Sequence, residues 1–369
     1  MMTLKRLILH ELKMPLRFPF QNSKETVREK RFHIIELMDQ DGVSGFGETV
    51  AFESPWYTEE TTDTVAMTIE KHIWPVLRHT TIKHPSEFQT KTAHIKRHHM
   101  AKAGVEGALW DLYAKKKGRP LYQAIGGTNR HIEVGVAIGI QKDMPTLLTK
   151  INQAIAEGYK RVKLKVSKGN DIEVLETVRE AFPAIDLMVD ANGAYNLQDL
   201  KHLKQIDQFK LMMIEQPLAS DDFVEHARLQ EELHTPICLD ESIHTLADAQ
   251  TAIALESCRI ISMKLGKVGG FTNAIEIHNE CAKHNIPVWC GGMLEAGVGR
   301  AQSLALATLP NFQLPADTGA SQRYWKQDII QPEVEVENGV VELPQLPGIG
   351  YEIDLEALLH YRSYEKSLG

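Results

Sequence analysis

Five side chains able to move protons or to hold a cation recur at one interval in this chain. Lys165, Asp190, Glu215 and Asp240 follow one another every 25 residues, and Lys264 comes 24 residues later. Each closes or follows a short apolar run: RVKLKV, IDLMVD, LMMIEQ, TPICLDES and RIISMKLG. One strand with its return helix is about that long. In a closed parallel barrel, equal spacing therefore carries these groups to the carboxyl ends of successive strands, the face where barrel enzymes hold their sites.

Three convergent carboxylates, Asp190, Glu215 and Asp240, repel one another, and at least one pKa must rise unless a cation joins them. All-oxygen ligation favours Mg²⁺, with Mn²⁺ as a substitute, over zinc. The alternative is that each acid caps the helix after its strand, which gives no reason for a glutamate at 215. Lys163 and Lys165 alternate with apolar residues and so share one side of their strand. Lys264 comes from a strand on the opposite side of a barrel. A partly desolvated lysine beside other cations can have its pKa drawn toward ~7–8, where it serves as a base. Two such lysines facing across a carboxylate substrate could remove and return a proton at its α-carbon. The alternative for the lysines is plain ion pairing with the acids.

The elements that must position these groups follow from the rhythm. Eight apolar runs, centred on 134–140, 161–166, 185–190, 211–216, 235–242, 259–266, 286–292 and 312–317, alternate with seven helix-compatible segments. That alternation predicts right-handed crossovers and a parallel sheet. Eight strands in about 200 residues favour a closed barrel over an open doubly wound sheet. The flanks differ. Residues 31–48 alternate around Asp41-Gly42, residues 86–117 carry helical patterning, and VEVENGVVEL around Asn338-Gly339 reads as a second hairpin. Both ends are expected to build one α+β cap, with divisions at 1–128, 129–322 and 323–369.

Composition sets the limits. The 369 residues carry 41 Lys and Arg against 49 Asp and Glu, a net charge of −8. No basic face suited to nucleic acid or anionic membrane follows from that balance. Cys238, Cys258, Cys281 and Cys290 form no Cys-x-x-Cys pair, which fits a reducing cytoplasm. No 18-residue apolar run and no signal-peptide core occur. His94, His98 and His99, on an expected helix, read as a solvated face; GKVGG (266–270) reads as a βα loop, and Cys290 as a small apolar residue. Phe18–Phe20 and Ala51–Tyr57 are candidates to cover the barrel mouth, with cap packing as their alternative.

KLK at 163–165, DANGAY at 190–195, IEQPL at 214–218, LDES at 239–242 and MKLGKVGG at 263–270 resemble the enolase superfamily, muconate lactonizing subgroup. PVWCGGMLEAGVGRA (287–301) and LPADTGASQRYW (314–325) are similar to its o-succinylbenzoate synthase / N-acylamino acid racemase group. The resemblance implies a (β/α)7β modified TIM barrel with an α+β capping domain from both termini. It implies Asp190, Glu215 and Asp240 as Mg²⁺ ligands, Lys165 and Lys264 as the catalytic lysines, and Lys163 and Asn192 as supporting groups. Separately, the glycine-rich run GGMLEAGVG, with Gly292 and Met293, is a candidate to hold a succinyl or acyl tail through backbone groups, with a simple turn as its alternative. The implied chemistry is dehydration of 2-succinyl-6-hydroxy-2,4-cyclohexadiene-1-carboxylate in menaquinone biosynthesis, with racemisation of N-acylamino acids through the same enediolate. A cytoplasmic homo-oligomer acting on a small carboxylate is expected. Dipeptide epimerase and muconate cycloisomerase are the alternatives within the superfamily, and a non-catalytic scaffold is the alternative outside enzymes. An epimerase would hold the substrate's amino group with acids after strand eight, where Asp317 is followed by Thr-Gly-Ala-Ser.

Overall fold

The structure, a computed structural model, describes residues 1–21 and 25–369. Strands β1 (Met2–Gln21), β2 (Thr26–Asp39) and β3 (Ser44–Glu48) form an antiparallel meander. The expected turn at Asp41-Gly42 joins β2 to β3. Gly42 takes φ +78°, and the Asp39 carboxylate accepts from the backbone N–H groups of Asp41 and Val43 at 3.0 and 3.2 Å. Helix α1 (His99–Lys116) lies on this sheet. Contact there is between backbones: a Cβ on Gly47 would stand 2.0 Å from the Gly104 carbonyl oxygen. The helical stretch expected over 86–117 is in fact broken. Its first part is Glu87–Lys91, and Arg97 and His98 then turn into the left-handed region before α1 begins. His94 and His98 therefore sit off the helix, and the three histidines share no face.

Seven parallel strands follow in spatial order: β4 (Val136–Ile138), β5 (Val162–Lys165), β6 (Leu187–Asp190), β7 (Ile214–Glu215), β8 (Ile237–Leu239), β9 (Ile260–Met263) and β10 (Val288–Cys290). The eighth expected run, 312–317, makes bridges instead of a full strand. Phe312 pairs with Val288 on β10, and Ala316 with Val134 just before β4. Backbone bonds from Asp317 to Cys290 and from Gly135 to Ala316 close the ring. The open-sheet alternative is thereby excluded.

Seven crossover helices link the staves: α2 (Met144–Ala156), α3 (Asp171–Ala181), α4 (Leu200–Ile206), α5 (Phe223–Glu232), α6 (Leu246–Ala254), α7 (Phe271–Lys283) and α8 (Gly297–Leu306). Asp143, Asp222 and Thr245 cap α2, α5 and α6, and Asn196 caps the short turn leading into α4. Helix capping is thus done by other residues, and Asp190, Glu215 and Asp240 are left for another purpose.

The chain's end returns to its beginning. Strand β11 (Arg362–Leu368) pairs antiparallel with β1 and extends the cap sheet. The expected hairpin at 338–339 forms its turn, with both residues at positive φ and Glu337 bridged to Val340. Beyond the turn, however, Val340–Glu342 pairs with His131–Glu133. A partner from the barrel's entry segment won over the adjacent chain. All four cysteines are buried and free, and among the described residues no helix is long and apolar enough to cross a membrane.

Cap and barrel also meet through a buried acid. Glu106 of α1, wholly buried, accepts from the Thr272 backbone N–H at the start of α7. It approaches Gly270 so closely that a Cβ there would lie 1.9 Å from its carboxylate. Burial pushes its pKa up to about 7. Between the ordinary carboxylate value and 7, the folded protein thus holds a proton that the unfolded chain releases, so stability falls as pH rises through that window. Glu106→Gln is expected to remove this fall, gaining on the order of 2 kcal/mol over wild type at pH 8 and little at pH 4.5. Paired urea denaturation curves at the two pH values check it; equal differences at both would refute the assignment.

Candidate active site

Register explains how the spaced residues meet. Lys165 pairs with Asp190 across β5–β6, and Asp190 with Glu215 across β6–β7, so these three stand at one level. Glu215, however, pairs with Cys238, two residues before Asp240. Leu239 in turn pairs with Ile261, three residues before Lys264. Equal sequence spacing therefore hides a stagger, the shear any closed barrel needs. Asp240 and Lys264 stand beyond the strand ends as the first residues of their loops.

The acids and lysines interlock. The Lys165 ammonium donates to Asp190 Oδ2 at 2.6 Å and to Asn192 Oδ1 at 2.8 Å. Asn192, at φ +46°, passes its amide to Glu241 at 2.9 Å. Lys163 lies 3.2 Å from Glu215, 3.5 Å from Asp190 and 2.5 Å from Asp317. Lys264 donates to Asp240 Oδ2 at 2.6 Å and to the Tyr57 hydroxyl at 2.8 Å, with its ammonium 4.9 Å from the Tyr57 ring centroid. Lys267 binds the same Asp240 at 2.7 Å through Oδ1. All three spaced acids, together with Lys163 and Lys264, are buried, whereas Lys165 is only partly so.

Electrostatics follow from this lattice. Burial pushes Asp190 and Asp240 up, but Lys165 and Lys163 for the first, and Lys264 and Lys267 for the second, outweigh it and hold both below the usual carboxylate range. Glu215 goes the other way. Burial and the neighbouring Asp190 charge push it up to about 8, despite Lys163. Its Oε1 is buried with no hydrogen-bond partner. The expectation of lowered lysine pKa values fails for Lys264 and Lys163. Burial lowers Lys264 and Lys163, yet Asp240 for the first and Asp317 and Glu215 for the second raise both above the ordinary value. Carboxylates within hydrogen-bonding reach overcome desolvation.

A cavity opens between cap and barrel, lined by Lys163, Lys165, Asn192 and Lys264. Gly292 and Met293 also line it, as the glycine-rich run suggested, with Leu294 and Glu295 beside them. From the cap come Phe20, Phe52, Trp56 and Tyr57, whereas Phe18 is 63% exposed and points elsewhere. The lining lysines supply positive charge and the aromatics apolar surface, and the two meet where Tyr57 touches Lys264. Among the described residues, no three His, Cys, Asp or Glu side chains are gathered as a ready cation cage, because the lysines stand between the acids.

Sequence reasoning missed three contributors. Arg161 and Lys163 together clamp Asp317, the first in a close ion pair. Lys267 braces Asp240, and Tyr57, singled out only as a pocket aromatic, reaches Lys264. The RVKLK pattern did hold a signal for Arg161, since 161, 163 and 165 share one strand face.

Residues 146–358 match the family profile described as Enolase C-terminal domain-like. Residues 5–126 match Mandelate racemase / muconate lactonizing enzyme, N-terminal domain. An o-succinylbenzoate synthase of Geobacillus kaustophilus is 53% identical over 359 residues, 97% of this chain and 96% of the relative. An N-succinylamino acid racemase of Thermus thermophilus is 42% identical over 347 residues, 94% of each chain. A crystal structure of an enolase superfamily member from Listeria innocua superimposes with a TM-score of 0.97 at 44% identity, covering 100% of this chain and 99% of that one.

Proposed function

We propose that this chain, which belongs to the mandelate racemase / muconate lactonizing enzyme family of the enolase superfamily, is an o-succinylbenzoate synthase that also racemises N-acylamino acids. The observation that carries this reading is the pair Lys165 and Lys264. They come from the second and sixth barrel strands and line one cavity, with Asp190, Glu215 and Asp240 between them. Full-length relatives named for both activities support it. We take the cap as 1–128 and 323–369 around a barrel of 129–322, the chain as a cytoplasmic homo-oligomer, and the synthase reaction as part of menaquinone biosynthesis.

The acids suit a hard divalent cation. They offer oxygen donors only, and Glu215 keeps a buried Oε1 without a partner and a raised pKa that a positive charge would relieve. Asp190, Glu215 and Asp240 would hold Mg²⁺, or Mn²⁺ in its place. When bound, the ion would stabilise negative charge developing on the substrate carboxylate. This chain's own residues do the rest. Lys165 takes the α-proton from one face of the carbon, and Asn192 and Asp190 fix its ammonium direction. In the dehydration, the same proton goes to the departing hydroxyl, which leaves as water, and the ring becomes aromatic. In racemisation, Lys264 gives a proton to the other face, and the lysines exchange roles for the other enantiomer.

Asp317 argues against the epimerase alternative. Arg161 and Lys163 already satisfy its carboxylate, so it is not free to bind a substrate ammonium. The test is α-proton exchange in D₂O with an N-succinylamino acid, followed by NMR. Exchange dependent on added Mg²⁺ and abolished by EDTA is expected. Failure to exchange this substrate or to dehydrate the cyclohexadiene would sink the assignment.

A further inference from the structure

Lys30, on cap strand β2, is 1% exposed and lies outside the proton-transfer machinery. Its ammonium donates to the carbonyl oxygens of Met293 and Leu294 at 3.0 and 2.9 Å. Glu48 of β3 stands 3.8 Å away and accepts from the backbone N–H groups of Ala296 and Gly299 at 2.8 and 2.7 Å. Two cap residues of opposite charge therefore grip the chain at the start of α8, Lys30 by carbonyls of the loop before it and Glu48 by amides at its first turn. The Lys30 ammonium also lies 6.0 Å from the ring centroid of Phe52. Met293, Leu294 and Phe52 all line the catalytic cavity, and Lys30 does not.

A buried ion pair is poor value for stability, since apolar residues of similar size often do as well. Its consequence here is positional. Leu294 sits at φ +56°, a left-handed conformation that a leucine adopts only when its surroundings impose it. Without Lys30, two buried carbonyls lose their donor and Leu294 loses the restraint against relaxing to extended backbone.

We propose that Lys30 is a positioning residue for specificity: by holding the Met293–Leu294 carbonyls from behind, it sets the shape of the cavity wall that receives the substrate's acyl tail. This rests on the synthase/racemase reading above. Proton transfer belongs to Lys165 and Lys264, neither of which bonds the carbonyls that Lys30 holds, so the effect falls on discrimination between tails.

The experiment compares kcat and KM for N-succinyl- and N-acetylamino acids in wild type, Lys30→Met and Lys30→Met/Glu48→Gln, with thermal melts of each. The double variant leaves no uncompensated buried charge and is the background in which the ratio is read. Its kcat/KM preference for succinyl over acetyl is expected to shift by about tenfold, mainly through KM. Lys30→Gln, which keeps a donor to the loop, should recover part of the preference. A double variant of restored stability and wild-type preference would overturn the proposal and leave Lys30 a structural residue only. Inactive wild type on both substrates would instead overturn the reading on which it rests.

Discussion

Lys165→Ala is expected to lose about 10³-fold or more of kcat for dehydration while the fold stays intact. Removal of a positioned acid/base group costs about 10²–10⁴-fold, and in the proposed reaction one lysine serves as both base and acid in the same turnover. Both losses fall on the same variant. The side chain is partly exposed, and Asp190 keeps Lys163 at 3.5 Å when Lys165 is gone, so no buried acid is stranded. Thermal unfolding should therefore move little. Racemisation should disappear as well, because one face of the α-carbon has lost its partner. Lys165→Arg is the sharper control, since it keeps the cation near Asp190 and Asn192 but does not deprotonate. Dehydration by Lys165→Arg within tenfold of wild type would refute the role of base.

Lys165 stands out through a regularity in the sequence, and that regularity has a limit. Strand ends recur because each βα unit must return the chain by the same distance, so Lys165, Asp190 and Glu215 were legible and stand level in the register. The cap's hairpin at Asp41-Gly42 was legible for a comparable reason: its turn is local. What stayed hidden depends on contacts across long separations. Tyr57 bonds Lys264 over 207 residues, and Lys30 bonds Leu294 over 264. Neither has a local pattern, since an aromatic in a loop and a lysine in a strand have many uses. The 20-residue β1 went unread because its charged residues mask the alternation, although it is paired on both sides in the cap sheet. The eighth stave was read as a strand because it falls at the expected interval after the seventh. Pairing to both neighbours by single bridges is a matter of geometry at the point of closure. The pKa directions of Lys163 and Lys264 were misjudged because burial is legible from apolar surroundings, whereas the distance to a carboxylate is not.

Those distances shape what Lys264→Ala should do. Lys264 is cationic at rest, held so by Asp240 at 2.6 Å against the burial that would lower it. It therefore suits the role proposed for it, proton donor at the face opposite Lys165. Its removal should abolish racemisation, by about 10³-fold or more, yet leave Lys165 able to exchange the α-proton of the one enantiomer that faces it. The two variants thus differ in kind: each should exchange a single enantiomer in D₂O without inverting it, and the enantiomers should be opposite. Dehydration should also fall in Lys264→Ala, since a buried cation facing the reacting carboxylate is lost. The loss should be smaller than in Lys165→Ala, because no proton moves through Lys264 in that reaction. Asp240 retains Lys267 at 2.7 Å, which keeps its charge compensated in the variant. Separate exchange experiments on each enantiomer, read by NMR, distinguish this from a general loss of activity. If Lys264→Ala and Lys165→Ala exchanged the same enantiomer, the two lysines could not lie on opposite faces of the substrate, and the two-base account would fail.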